Sequence, residues 1–206
     1  MKLILIRHGE TEHNRTGVTL GRADVPLNER GRLQARAVTA SFSRAPTAIY
    51  TSPLTRAHET ATAIARGSGH MVAVEESLIE MDVGEMEHLG HADLRARYPD
   101  FLREWMTAPA DARMPGGETL RDVQDRAWQA IERLRTVHVD SADGVVAVSH
   151  NFVILTIACR ALGLPLADFR RLKTTVGGKT VLDMTGSKPT LISWNDTSHL
   201  RATGLG

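Results

Sequence analysis

Two short apolar runs, each followed by a histidine, constrain this sequence more than any other feature. Residues 3–6 are continuously apolar and are followed by Arg7 and His8, and residues 145–148 are followed, after one serine, by His150. Apolar runs without alternation are typical of strands that are buried on both faces of a parallel sheet. Ligands of open α/β sheets bind at the carboxyl ends of such strands. The two histidines are therefore predicted to lie at ligand-binding strand ends.

Helical and strand patterns fill the rest of the sequence. Ser52 followed by Pro53 predicts a helix start, because serine caps helices and proline fits the first helical position. Pro99 lies inside another helical pattern, where it is expected to kink or restart the helix. Helical spacing covers 28–43, 54–64, 92–107, 118–137 and 153–164, and short strands are predicted at 48–51, 72–74, 181–184 and 191–194.

This mixture of strands and helices predicts the α/β class. We expect a mostly parallel central sheet with helices on both faces, formed by a single domain over residues 1–206. Residues 81–117 contain no strand pattern and are expected to form a small inserted helical cap. An apolar stripe that includes Trp105 is expected to pack into the core, with a lid over the site as the functional alternative.

Charge and cysteine content exclude several classes of protein. The chain of 206 residues has a formal net charge of +1, and its basic and acidic residues are interleaved. Binding to nucleic acid or to a membrane surface would need a basic stripe, so we expect neither. The single cysteine, Cys159, excludes an internal disulfide framework and indicates a reducing, cytoplasmic location. The apolar run at 3–6 is too short for a signal peptide or a membrane span.

Arginine is the second feature of the predicted strand ends. Arg7 precedes His8, and Arg56 lies in the first turn of the helix that follows the strand at 48–51. A phosphate there would be favoured by the helix dipole and free N–H groups, and an arginine can bind two phosphate oxygens at once. Gly9 would let the backbone turn sharply and approach a ligand closely. Taken singly, Arg56 could be a helix-surface charge and His8 a structural histidine.

Several motifs together resemble the histidine phosphatase superfamily, which is also called the phosphoglycerate mutase-like family. The resemblance covers nearly all of residues 1–200. The motifs are Arg-His-Gly-Glu-Thr at 7–11 with Asn14, Thr-Ser-Pro-Leu-Thr-Arg-Ala at 51–57, Pro-Gly-Gly-Glu-Thr at 115–119, Ser-His at 149–150 and the closing residues 195–200.

The resemblance implies a role for each matching residue. His8 would attack phosphorus and form a phosphohistidine, and Glu80 would protonate the leaving oxygen and then activate water. The phosphate oxygens would be held by Arg7, Arg56, His150 and Asn14, and Gly21, Arg22 and Asn151 are further candidates for substrate binding. Arginine and histidine would supply the positive charge, so no metal and no cofactor are expected.

The sequence also departs from the family pattern at specific positions. Met86-Glu87-His88 stands where the family usually has Trp-Glu-Gly, and His13 stands where the mutases have tryptophan. Asn151 replaces a glycine, and asparagine would be among the best substitutes if that position needed an unusual backbone angle. We expect the changes at Met86 and His88 to affect the choice of substrate rather than the chemistry.

A phosphatase acting on a small phosphorylated metabolite is the favoured interpretation, with a homodimer as a possible assembly. A cofactor-dependent phosphoglycerate mutase is the first alternative, and a non-catalytic module that binds phosphorylated ligands is the second. A metallohydrolase is a weaker one, since His88 and His91 are three residues apart but look like surface residues near a loop.

Overall fold

The computed structural model describes residues 1–66, 69–139, 141 and 143–206. Within these residues, six strands and eight α-helices alternate along much of the chain. The strands are β1 (Lys2–Arg7), β2 (Ala48–Thr51), β3 (Val72–Val74), β4 (Val145–Ser149), β5 (Lys179–Asp183) and β6 (Thr190–Asp196). The helices are α1 (Glu12–Thr16), α2 (Glu29–Ala40), α3 (Thr55–Arg66), α4 (His91–Arg97), α5 (Pro99–Thr107), α6 (Leu120–Val137), α7 (Asn151–Leu162) and α8 (Ser198–Arg201).

All six strands belong to one sheet with the order β3-β2-β4-β1-β5-β6. The pairs β3–β2, β2–β4 and β4–β1 are parallel, whereas β5 is antiparallel to both β1 and β6. Among the six strands of the described residues, only β5 therefore runs against the others, which confirms a mostly parallel sheet. The register pairs Arg7 with Ser149, so His8 and His150 leave the sheet at the same edge.

Both faces of the sheet are buried, which explains why the apolar runs do not alternate. Leu3 and Leu5 face a core that includes side chains of α6 and α7. Ile4 and Ile6 face the opposite core, which contains side chains of α2 and α3. Because successive side chains of a strand point to opposite faces, a strand buried on both sides must be apolar at every position. Helices on both faces are thus confirmed.

The helix starts show where the sequence patterns were accurate. Asn28 caps α2 by accepting a hydrogen bond from the Gly31 N–H at 2.8 Å, and α5 restarts at Pro99 as predicted. The prediction for α3 was wrong by two residues, because the helix begins at Thr55 rather than at Pro53. The short helix α1 was missed. Turns of 3₁₀ helix lie at Glu76–Leu78, Gly84–Met86 and Leu166–Arg171.

The segment between β3 and α6 contributes no strand to the sheet among the described residues. Its helix α5 packs through Trp105, whose ring centroid lies 6.0 Å from that of Phe152 and 5.6 Å from that of Phe169. The predicted apolar stripe is therefore packed against the core on the α7 side of the sheet. No helix of the described residues is long and apolar enough to cross a membrane.

Candidate active site

The turn after β1 is fixed from three sides. The His8 N–H donates to the Ser149 carbonyl at 3.0 Å, and the Gly9 N–H donates to Thr60 Oγ1 on α3 at 3.1 Å. A Cβ atom on Gly9 would lie 2.4 Å from the Gly31 carbonyl oxygen of α2, far closer than real contacts allow. Glycine is therefore required at position 9 for packing against α2, and its expected role in approaching a ligand stays a prediction.

His8 presents one ring nitrogen, Nε2, that has no hydrogen-bond partner among the described residues. Its side chain is buried, and Nδ1 lies 2.7 Å from the Gly9 carbonyl oxygen, which can only accept a hydrogen bond. Nδ1 therefore carries the proton, and Nε2 keeps its lone pair. Burial, followed by the charges of Arg56 and Arg7, lowers the pKa of His8 well below 6.5, so the imidazole is neutral. A neutral imidazole with a free Nε2 is a competent nucleophile.

Arg7 and Arg56 are held by backbone carbonyl groups. Arg7 Nη1 donates to the Thr174 carbonyl at 2.9 Å, and Arg56 donates to the carbonyls of Ala23 at 2.8 Å and Gly21 at 2.6 Å. Burial lowers the pKa of both guanidinium groups, although the carboxylate of Glu80 opposes the effect. Within the described residues, the buried Nε atoms of both arginines have no hydrogen-bond partner.

His150 adds a third unpartnered donor position. Its Nε2 lies 2.7 Å from Ser52 Oγ, and its ring centroid lies 5.1 Å from that of His8. Burial is the main cause that lowers the pKa of His150, followed by the charge of Arg56. When the Ser52 hydroxyl donates to Nε2, the ring proton is on Nδ1, a buried atom that lacks a partner in the described part of the chain.

Glu80 interacts electrostatically with Arg56 and Arg7, and its carboxyl group is held by backbone N–H groups. Oε1 accepts from the Met81 N–H at 2.8 Å and Oε2 accepts from the Phe152 N–H at 3.3 Å. Burial raises the pKa of Glu80, and the Met81 hydrogen bond and the two arginines only partly offset that effect. A buried carboxyl group with a raised pKa can hold a proton for a leaving group.

Three of the four buried nitrogen atoms that lack a partner in the described part of the chain belong to residues that act on His8 or Glu80, and the fourth is Nδ1 of His199. Buried polar atoms are nearly always hydrogen-bonded, and each exception in a native structure calls for an explanation. Arg7 Nε, Arg56 Nε and His150 Nδ1 are such exceptions, and all three belong to groups that interact electrostatically with His8 or Glu80. An oxyanion bound beside these residues would offer acceptors to such donors.

Two of the predicted substrate-binding residues, Asn14 and Gly21, already form hydrogen bonds within the protein. Asn14 is the N3 residue of α1, and its Oδ1 accepts from the N–H and hydroxyl of Thr11 at 3.1 and 3.0 Å, so only its Nδ2 is left to donate to a phosphate. The Gly21 N–H donates to Glu87 Oε1 at 2.7 Å, so the group that would bind an anion is occupied. Direct contact of Asn14 and Gly21 with substrate stays a prediction.

Arg22 and Asn151 are both engaged within the protein. Arg22 bonds to Glu118 at 3.0 Å and to Asp82 at 3.4 Å, with 37% of its side chain exposed. Asn151 is the first residue of α7, and its Oδ1 accepts from the Thr174 hydroxyl at 2.8 Å. Its φ is not positive, so the asparagine does not replace a glycine for reasons of backbone angle. Substrate binding by both residues stays a prediction.

The start of α3 differs from the sequence-based expectation. The Thr55 N–H donates to Asp24 Oδ1 at 2.7 Å, and the Leu54 N–H donates to Ser52 Oγ at 3.3 Å. These two N–H groups are therefore not free for a phosphate, and phosphate binding at this helix terminus stays a prediction. The Arg56 side chain is the group that α3 contributes.

Several residues at the site were not predicted. Thr60 fixes Gly9, Ser52 contacts His150, and Arg126 on α6 donates to the backbone around Glu80. Ser52 lies within the Thr-Ser-Pro motif and could have been found from it. Thr60 and Arg126 carry no such signal, because both look like ordinary helix residues.

The family comparison agrees with this geometry. Residues 3–197 match the model of the histidine phosphatase superfamily (branch 1). The chain belongs to the histidine phosphatase superfamily. The match spans both histidine-bearing strand ends, Arg56 and Glu80, and it confirms the resemblance that the motifs indicated.

Relatives of this superfamily member carry both phosphatase and mutase-like names. Phosphoserine phosphatase 1 of Hydrogenobacter thermophilus is 33% identical over 97% of this chain and 94% of its own length. Phosphoglycerate mutase-like protein 4 of Arabidopsis thaliana is 32% identical over 99% and 89%. The solved mycobacterial glucosyl-3-phosphoglycerate phosphatase in complex with VO3 superposes with a TM-score of 0.88 at 30% identity, over 95% of this chain and 99% of that one. Together these findings support a phosphomonoesterase.

Proposed function

We propose that this histidine phosphatase hydrolyses small phosphate monoesters by a metal-independent route through a phosphohistidine on His8. The observation that carries the proposal is the set of three buried donors on Arg7, Arg56 and His150, which lack partners in the described residues and belong to groups that interact with His8. Two guanidinium groups and an imidazole N–H can neutralise and orient a phosphoryl group, which is the main requirement of phosphoryl transfer.

The proposed reaction has two steps. In the first, His8 Nε2 forms a bond to phosphorus while the bond to the leaving oxygen breaks, and Glu80 transfers its proton to that oxygen. In the second, Glu80 takes a proton from water, the water oxygen attacks phosphorus, and the P–N bond breaks to regenerate His8. Burial keeps His8 neutral and favours a protonated Glu80, which are the states that the first step needs.

A cofactor-dependent mutase is the alternative that shares this machinery. A mutase must keep water from its phosphohistidine until the product re-orients and takes the phosphoryl group back. This chain has His13 in place of the mutase tryptophan, and 81–117 is a modest insertion. Both features favour hydrolysis. The presence of His8, Glu80 and their partners in one cluster likewise favours catalysis over a non-catalytic binding module.

Running both reactions on one protein sample tests the proposal. We expect release of inorganic phosphate from several monoesters, with no stimulation by 2,3-bisphosphoglycerate and negligible interconversion of 3- and 2-phosphoglycerate. Phosphoserine and glucosyl-3-phosphoglycerate belong in the substrate panel because relatives are named for them. Efficient interconversion that depends on the bisphosphate, with little phosphate release, would support the mutase instead.

Three other expectations belong to this proposal. Residues 1–206 are proposed to act as a single domain, with 81–117 as an inserted cap, which the packing of Trp105 against the α7 side of the core supports. A homodimer and a cytoplasmic location stay predictions. Sedimentation of the purified protein and fractionation of cells that express it would test them.

A further inference from the structure

Glu80 lies in a part of the chain without regular secondary structure. The surrounding segment runs from the 3₁₀ turn Glu76–Leu78 to the turn Gly84–Met86. Within the described residues, the Glu80 carboxyl group is held by the backbone N–H groups of Met81 and Phe152 alone. The position of the carboxyl group therefore depends on whatever fixes the backbone around residue 80.

Arg126 supplies that support from α6. Its Nη1 donates to the carbonyls of Ser77 at 2.8 Å and Ile79 at 2.7 Å, and its Nη2 donates to the Glu80 carbonyl at 3.0 Å. Its remaining N–H groups donate to the two carboxylate oxygens of Glu118 at 2.9 and 3.0 Å. A guanidinium group has five N–H donors, and all five are used here.

Glu118 extends the same network. Its Oε2 also accepts from the Asp82 N–H at 3.0 Å, on the far side of Glu80. Its Oε1 accepts from Arg22 at 3.0 Å. The side chains of Arg126 and Glu118 are only 19% and 18% exposed, so solvent screens their bidentate ion pair less than a surface pair.

We infer that Arg126 and Glu118 are positioning residues, which hold the backbone of residues 77–82 so that Glu80 reaches the leaving oxygen. The inference rests on the proposed function, in which Glu80 is the general acid. If the backbone of residues 77–82 shifts, proton transfer to the leaving group becomes slower, whereas the attack of His8 on phosphorus is unaffected. Small displacements of a catalytic group can cost about 100-fold in rate.

Arg126→Lys tests the inference, because lysine keeps the charge but cannot reproduce a planar five-donor network. We expect kcat/KM, which reports only the steps up to phosphorylation of His8, to fall about 10- to 100-fold for β-glycerophosphate, a poor leaving group, and less than about 3-fold for p-nitrophenyl phosphate, which needs little protonation. Equal losses on both substrates would show a merely structural role and overturn the inference.

Arg133→Lys is the matched control. Arg133 lies on the same helix and contacts the neighbouring part of the segment, at Glu75 Oε1 (2.9 Å) and Ser77 Oγ (3.3 Å), but not the Glu80 backbone. We expect this variant to keep wild-type rates on both substrates. If Arg126→Lys does not fold, Glu118→Gln replaces it, since its NH2 group cannot accept from Arg126 and Arg22 as the second carboxylate oxygen does.

A double-variant cycle separates this inference from the proposed function. If Arg126 acts through Glu80, adding Arg126→Lys to Glu80→Gln should cause no further loss of kcat/KM on β-glycerophosphate. If the two losses add in the double variant, the inference is overturned and the proposed function is unaffected. A Glu80→Gln variant that slows both substrates equally would instead remove Glu80 as the acid, and the inference would fall with it.

Discussion

His13 Nε2 lies 3.0 Å from His88 Nδ1, which joins helix α1 to the loop that follows the turn Gly84–Met86. The two residues are 75 positions apart in sequence. Each departs from the family pattern, His13 from a mutase tryptophan and His88 from a glycine, and the structure shows that the two changes meet. His88 also has a φ of +64°, in the left-handed region that glycine adopts freely. This backbone angle explains the glycine of the family pattern.

The left-handed conformation of His88 predicts an unusual order of stabilities. His88→Ala keeps the strained backbone and loses the bond to His13, whereas His88→Gly loses the same bond but relieves the strain. We expect His88→Gly to be more stable than His88→Ala by about 1 kcal/mol. Urea unfolding of both variants measures the difference, and an alanine variant as stable as the glycine variant would contradict it.

The raised pKa of Glu80 predicts that a variant without this carboxyl group is more stable but less active. The pKa of Glu80 is raised above 4.5 in the folded state. Its contribution to the free energy of unfolding is therefore fully present below pH 4.5 and is lost as the pH rises through the raised pKa. Glutamine cannot ionise. Glu80→Gln should therefore unfold at higher urea concentration than the wild type at about pH 8, and the difference should disappear at about pH 4. A variant less stable than the wild type at the higher pH would argue against a raised pKa.

The proposed charge neutralisation by arginine predicts the response to inhibitors. A chelator such as EDTA should leave phosphatase activity unchanged, because Arg7 and Arg56 supply the positive charge. Vanadate should inhibit, since it adopts the five-coordinate geometry of phosphorus during transfer. Activity that disappears with EDTA and returns with a divalent cation would favour the metallohydrolase instead.

Much of the fold was predictable from sequence because burial leaves a direct pattern. A strand covered on both faces must be apolar throughout, so residues 3–6 and 145–148 identified the two central strands and the edge where His8 and His150 meet. Arg56 was found for a similar reason, since it follows a strand and lies in the first turn of a helix.

The residues that hold the backbone of the site in place could not be predicted from such patterns. Arg126 and Glu118 look like solvated charges on or near a helix, and only tertiary packing brings them to the backbone of Glu80. Asp24 lies in a loop without periodicity, so nothing in the sequence indicated that it would occupy the start of α3. Short helices such as α1 have too few residues to show a helical period.

The most direct test of the account is the identity of the phosphorylated residue during turnover. Protein mixed with a monoester, quenched in base and digested should carry phosphate on His8, because Nε2 of that residue is free and Nδ1 is protonated. His8→Ala should carry no label and lose at least ~10³ of the rate. Phosphate mapped to His150, or full turnover by His8→Ala, would contradict the account.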